Sequence, residues 1–290
     1  MTTSEVRLAA MPAWLVRAPW NELAFAARTA LAFSRGVPTF LGEPSEPLFP
    51  FLDGASQAAA TTRDTELRAR YDLAGLRAAV SAEDYRENIA LCDALERATA
   101  DVTPPSPLRQ VVDIGCGRFA YAPALHRFLA RWGATTPSKL VLDGWELDGH
   151  VLLAGAHSRA DHGRAFAALA DAARVSYRVG DFARAGRADV DVVTLLYPFL
   201  TRRALVAWGP PLRCFDPTRL VAAACRALRP GGVLVVFNQT DDERALLAPL
   251  LAASGMVTIK TTPIASRLVA YADATADRVA TVARRPGSAA

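Results

Sequence analysis

The sequence predicts an α/β protein with a doubly wound, seven-stranded, mostly parallel sheet, preceded by a helical N-terminal region. Three observations predict it. The run Val111-Val112-Asp113-Ile114-Gly115-Cys116-Gly117 drives an apolar strand into an acid and a glycine-rich turn. Strand patterns and helix patterns alternate from there to the end of the chain. Ala227 to Phe237 stops a helix at Pro230-Gly231-Gly232 and opens a very apolar strand.

Strands are expected at 110–114, 140–146, 174–180, 190–197, 232–238, 256–262 and 278–285, with helices between most of them. Asp216-Pro217 marks a helix start, an acid cap followed by proline at the first helical position. Thr240-Asp241-Asp242-Glu243 reads as a capping box. No helix is evident between the last two strands.

Residues 1–108 lack this alternation and read as a helical lid that selects the acceptor, with 109–290 as the ligand-binding domain. Asn21 to Arg35 places Leu23, Ala27, Ala30 and Leu31 at helical spacing, and Gly36 stops it. Gly42 to Gly54 contains Pro44, Pro47 and Pro50 and cannot be regular helix. Ser81 caps a helix to about Ala100 that aligns Tyr85, Ile89, Cys92 and Leu95. Thr103-Pro104-Pro105-Ser106-Pro107 reads as a short stiff linker.

Composition sets the class. With 51% hydrophobic and 21% charged residues the chain is an ordinary globular protein, and a net charge of +4 carried almost wholly by arginine is no nucleic-acid signature. Cys92, Cys116, Cys214 and Cys225 are too widely spaced for a zinc cluster, so a reduced cytoplasm is expected and no metal. No apolar run approaches the roughly 20 residues that span a bilayer, and no signal peptide is evident.

The turn carries the chemistry. Gly115 and Gly117 permit backbone shapes and close approach that a Cβ forbids. Asp113 ends the strand where it can face a cationic group, and a phosphate there would be repelled. The pattern acid-x-Gly-x-Gly resembles motif I of the class I S-adenosylmethionine-dependent methyltransferases. The resemblance implies a Rossmann-like methyltransferase fold, S-adenosyl-L-methionine as cofactor and S-adenosyl-L-homocysteine as product. It assigns the methionine end to Asp113, Gly115, Cys116 and Gly117. Glu146, ending Lys139 to Leu147, would accept the ribose hydroxyls, with Leu147 beside it. Asp181 and Phe182, after Gly180, would take the adenine amino group and ring, with Leu196 completing the set. The Pro-Gly-Gly turn resembles the family's "LxPGG", and the family's last strand inserts antiparallel beside the fifth.

Phe119 stands where the family often has a third glycine. Its bulk would narrow the cleft, lie near the sulfonium, or pack in the core. Gly115 to Ala120 also satisfies a dinucleotide fingerprint, making a nicotinamide or flavin enzyme the alternative. Asp113 near a pyrophosphate disfavours it, as does the position of Glu146, further past the turn than the expected interval of roughly 20 residues.

The acceptor is expected above strands four and five. Leu195-Leu196-Tyr197-Pro198-Phe199 lacks most of the motif of enzymes that methylate bases, so the expected acceptor is a small molecule of specialised metabolism, methylated at oxygen or nitrogen, with no nucleic-acid or membrane partner. Tyr197 and Asn238, at the ends of strands four and five, are the candidates for positioning it. Tyr85, Arg86 and Asn88 are candidates for the cofactor carboxylate or the acceptor, and Phe40, Phe49, Phe51 and Trp208 for an apolar acceptor wall. His157, His162 and Asp161 read as a solvated helix face rather than a metal site. A homodimer is left open. The rival functions are a non-catalytic cofactor-binding regulatory or scaffold protein and an RNA or protein methyltransferase.

Overall fold

The structure is a computed structural model that describes residues 13–40, 42, 47–271 and 276–287. Pro44 of the proline-rich loop and the first twelve residues, where a signal peptide was sought, lie outside them.

The strands are β1 (Gln110–Ile114), β2 (Val141–Glu146), β3 (Val175–Val179), β4 (Val190–Leu196), β5 (Leu228–Asn238), β6 (Val257–Pro263) and β7 (Val279–Arg284). They form one sheet in the order β3-β2-β1-β4-β5-β7-β6. β1 to β5 run parallel, and β7 is antiparallel to both β5 and β6. All seven expected strands are present within a residue or two, except that β5 starts earlier because Leu228 already pairs with Val190.

The helices are α1 (Ala13–Leu31), α2 (Gly54–Arg70), α3 (Ala74–Ala79), α4 (Ala82–Thr99), α5 (Ala122–Trp132), α6 (Arg159–Asp171), α7 (Arg202–Trp208), α8 (Pro217–Ala227) and α9 (Asp241–Ala253). Both faces of the central strands are covered, which is why they read as unbroken apolar runs. Val111, Val192, Val235 and Phe237 share a core with Ile89 and Leu95 of α4 and Leu125 of α5. Val112, Val193, Leu234 and Val236 pack on the other side with Val221 of α8 and Leu247 of α9.

Caps sit where the sequence puts them. Ser81 accepts from the Asp84 N–H, Asp216 from the Arg219 N–H and Thr240 from the Glu243 N–H. The return bond of the last motif comes from the Gln239 N–H to Glu243, one residue before the cap.

α1 departs from expectation in two ways. It begins before Asn21, with Pro19 inside it, although a proline there argues for a helix boundary. Asn21 is not a cap: its amide donates to the carbonyls of Val206 and Pro210. The face bearing Leu23, Ala27, Ala30 and Leu31 is exposed, and α1 is held by the opposite face. Ala18 packs on Leu205 and Val206, Glu22 pairs with Arg213, and Arg28 pairs with the buried Asp148. After α1 the chain crosses to α6. There Asp161 accepts from the Ser34 hydroxyl and the Arg35 N–H, and Phe40 packs on Phe166 at 4.3 Å. Burial alone would raise the Asp161 carboxyl, but those bonds and two from Ser158 hold it down at about 2.

Candidate cofactor and acceptor cleft

A cleft of about 840 Å³ opens at the carboxyl ends of β1, β2, β4 and β5, where ligands of open α/β sheets bind. Gly115, Cys116, Gly117, Glu146, Leu147, Asp181, Phe182, Leu196 and Tyr197 all line it, so the chain's fold brings most of the sequence-selected positions together. Asp113 and Asn238 do not line it.

The turn after β1 is held from below. Gly115 and Gly117 have φ of 78° and 57°, and Phe119 has 58°, a value rare for a bulky residue. The Gly115 and Cys116 N–H groups donate to the Trp145 carbonyl at 2.8 and 3.1 Å, and the Phe119 N–H to the Cys116 carbonyl at 2.8 Å. The Gly117 N–H donates to Glu146 Oε2 at 2.8 Å, and its carbonyl accepts from the Tyr177 hydroxyl at 2.7 Å. These N–H groups are therefore committed to protein acceptors, whereas a pyrophosphate cradle needs them free.

Phe119 borders the cleft through the turn, but its side chain is buried. Its ring is fully buried beneath the turn, edge-on to Tyr121, and occupies the space a side chain at Gly144 would fill. Of the readings the sequence offered, core packing is the one the structure supports.

Glu146 closes β2 with its carboxylate buried in the wall. Besides Gly117, it accepts from the Asp148 N–H at 2.9 Å and from Arg159 at 3.2 Å. A carboxylate offers about four acceptor positions, so one remains for a ligand hydroxyl. Phe182 meets Trp145 edge-on at 5.7 Å to make an apolar wall. The Trp145 indole N–H is buried without a hydrogen-bond partner, an orphan donor of the kind a heteroaromatic ligand satisfies. Asp181 is bound to Arg219 and Arg184 and caps the turn at Ala183.

Asp113 corrects the expectation that it faces a cation directly. It is fully buried, one strand face below the cleft, and its oxygens accept from the hydroxyls of Thr194 and Tyr121. Tyr121, which does line the cleft, stands between them. Burial pushes the Asp113 carboxyl up to about 6, against those two hydrogen bonds. A raised folded-state value gives stability that is present below the unfolded value near 3.8 and lost as pH rises through about 6. Urea titrations should therefore show wild type losing up to about 3 kcal/mol relative to Asp113→Asn between pH 4 and 7. Parallel curves would contradict this.

Asn238 also moves. It lies on the α8–α9 side of β5, fully buried, and neither side-chain atom has a hydrogen-bond partner. Alternation along a strand turns successive side chains to opposite faces, and the cleft residues at this end are Phe237, Gln239 and Glu243. Burial raises the Glu243 carboxyl above its ordinary range. Tyr197 has φ of 61° and packs edge-on to Phe237, with its N–H bound to the Phe237 carbonyl. Such strained backbone clusters at ligand sites.

The three lid candidates are structural. The Tyr85 hydroxyl donates to Asp64, Arg86 to the Leu48 carbonyl, and Asn88 ties α4 to α5 through Ala120 and Ala124. Arg118 instead links the turn to the lid, pairing with Asp84 and Glu87. Among the apolar candidates Trp208 lines the cleft with Phe199, Leu205, Phe215 and Tyr271, while Phe40, Phe49 and Phe51 do not. Sequence spacing gave no signal for Arg159 or Tyr271 and marked Glu243 only as part of a capping box, because it is the fold that brings these residues to the cleft. His157 Nδ1–H donates to the Gly36 carbonyl at 3.0 Å, and among the described residues no group of three His, Cys, Asp or Glu is placed to hold a metal ion. No helix among them is long and apolar enough to cross a membrane.

No protein-family model matches the sequence, and no curated protein matches it. Solved structures are similar in chain trace. That of a geranyl diphosphate methyltransferase in complex with GPP and sinefungin has 16% identity and a TM-score of 0.45, covering 66% of this chain and 76% of that one. A SAM-dependent methyltransferase from Aquifex aeolicus has 11% identity and a TM-score of 0.46, covering 68% and 92%. The [4+2]-cyclase SpnF has 14% identity and a TM-score of 0.47, covering 87% and 100%. The sheet, with β7 alone antiparallel to the other six strands and inserted between β5 and β6, has the mostly parallel, seven-stranded Rossmann-like order that the resemblance of the sequence to class I S-adenosylmethionine-dependent methyltransferases implies.

Proposed function

We propose that this chain transfers a methyl group from S-adenosyl-L-methionine to an oxygen or nitrogen of a small, largely apolar molecule. The observation that carries the reading is the commitment of the turn's N–H groups to Trp145 and Glu146, beside a carboxylate with one free acceptor position. That arrangement suits a cofactor with a ribose and no phosphate. When bound, the cofactor supplies an electrophilic methyl on a sulfonium. Glu146 would hold the ribose, Phe182 and Trp145 the adenine, and the Gly115–Gly117 turn the methionine end.

The chain's own contribution to transfer is then orientation and proton handling. Much of such catalysis comes from holding the nucleophile in line with the methyl group. Tyr197, Phe199, Trp208, Phe215 and Tyr271 make the other end of the cleft aromatic, which suits an apolar acceptor. Where the acceptor must lose a proton, Glu243 is the carboxylate at that end placed to take it.

Labelled S-adenosyl-L-methionine with a panel of small hydroxyl and amine compounds tests the reading. Glu243→Gln should lower kcat at least tenfold and abolish the acid limb of the pH profile, with cofactor affinity unchanged. Methyl transfer to RNA or protein alone, or no transfer to any acceptor despite tight cofactor binding, would contradict the proposal.

A further inference from the structure

α1 presents an apolar face that nothing among the described residues covers. Val16, Trp20, Leu23 and Leu31 are 50%, 71%, 65% and 78% exposed, and Ala24, Ala27 and Ala30 beside them are exposed too. Single exposed apolar residues need no explanation, but a contiguous patch does. The orientation is not accidental. The opposite face is anchored by Ala18, by the Asn21 bonds to α7 and its following loop, by the Glu22–Arg213 pair and by the Arg28–Asp148 pair. Phe25 lies on that face, 5.5 Å from the guanidinium of Arg28 and 5.5 Å from that of Arg213.

We infer that this face pairs with the same face of a second copy of the chain, as an antiparallel helix pair about a two-fold axis between Leu23 and Ala24.

The order of side chains supports that occupant. A two-fold axis there sets Trp20 against Ala27 near the middle of the face and Val16 beside Leu31 at its ends, with Leu23 and Ala24 flanking the axis. The Trp20–Ala27 pair puts a large side chain opposite a small one, as close helix packing requires. A self-complementary patch is what an isologous interface needs. Arg17 is the one charged residue on the face, at its edge, whereas an interfacial membrane helix carries a charged polar face toward water. Here the polar face is spent on Asp148, Arg213 and α7. The exposed fractions amount to roughly 600 Å² per copy, bringing the pair to the lower edge of the standard interface size.

The inference is independent of the proposed reaction. Sedimentation equilibrium of the full chain at micromolar concentrations tests it, with vesicles of phosphatidylcholine and phosphatidylglycerol as a second arm. The expected result is twice the 31.0 kDa chain mass. Leu23→Glu should raise the dimer dissociation constant at least a hundredfold without lowering the melting temperature. Trp20→Ala and Ala27→Trp should each weaken the dimer about tenfold, and the double variant should restore it, because the swap preserves the pairing. A wild type at 31.0 kDa throughout, a dimer indifferent to Leu23→Glu, or a monomer that sediments with the vesicles would each overturn it.

Discussion

Gly144→Ala should destabilise the protein by about 1–3 kcal/mol and weaken cofactor binding, although the residue touches no ligand. A Cβ there would lie 2.6–2.9 Å from three ring atoms of Phe119, whose side chain is fully buried and has no room to retreat. Gly144 pairs with Asp113 in the sheet, and Phe119 sits in the turn with φ of 58°. Displacing the ring therefore moves the turn. Phe119→Gly removes a left-handed strain of roughly 1–2 kcal/mol and a buried ring worth about 3–5 kcal/mol, a net loss. The double variant should be at least about 1 kcal/mol more stable than the sum of the two singles, because the clash is absent without the ring. Additive urea-unfolding energies would contradict the contact.

Removal of the Glu146 carboxylate should have the larger effect on binding. Glu146→Ala deletes the acceptor proposed for the ribose and strands the Gly117 and Asp148 N–H groups and Arg159. A hydrogen bond to a charged group contributes about 1.5–3 kcal/mol, so one lost ribose contact alone weakens the cofactor roughly ten- to a hundredfold, and loosening of the turn adds to that. Glu146→Gln should fall between, since its amide oxygen still accepts one bond while its NH₂ faces the donors that Oε1 or Oε2 satisfied. Unchanged affinity in Glu146→Ala would place the ribose elsewhere.

The sheet was legible because its central strands are buried on both faces and end in turns with their own chemistry. Asp216, Thr240 and Ser81 marked helix starts that the structure keeps. The cofactor half of the cleft was legible for the same reason: Gly115, Gly117, Glu146 and Phe182 follow strand ends, and strand ends converge in this topology. Asp113 and Asn238 were placed by position along a strand, but the face each side chain takes decides access. Asp113 is tied under the turn by Thr194 and Tyr121, and Asn238 is buried on the α8–α9 side of β5 rather than in the cleft lining. In the acceptor half Trp208 was a candidate in the sequence, whereas Tyr271 comes from a loop segment with no local signal. α1 shows another limit: its apolar periodicity was readable, yet the stripe faces outward because charged and polar residues on the other face find partners at Asp148, Arg213 and Val206.

The most direct test of the central claim is calorimetric titration of the full chain with S-adenosyl-L-methionine, with NADH titrated separately. Micromolar binding of the first alone is the expected result, since the turn offers a carboxylate neighbour and no free phosphate cradle. Binding of NADH alone, or of neither, would contradict the account.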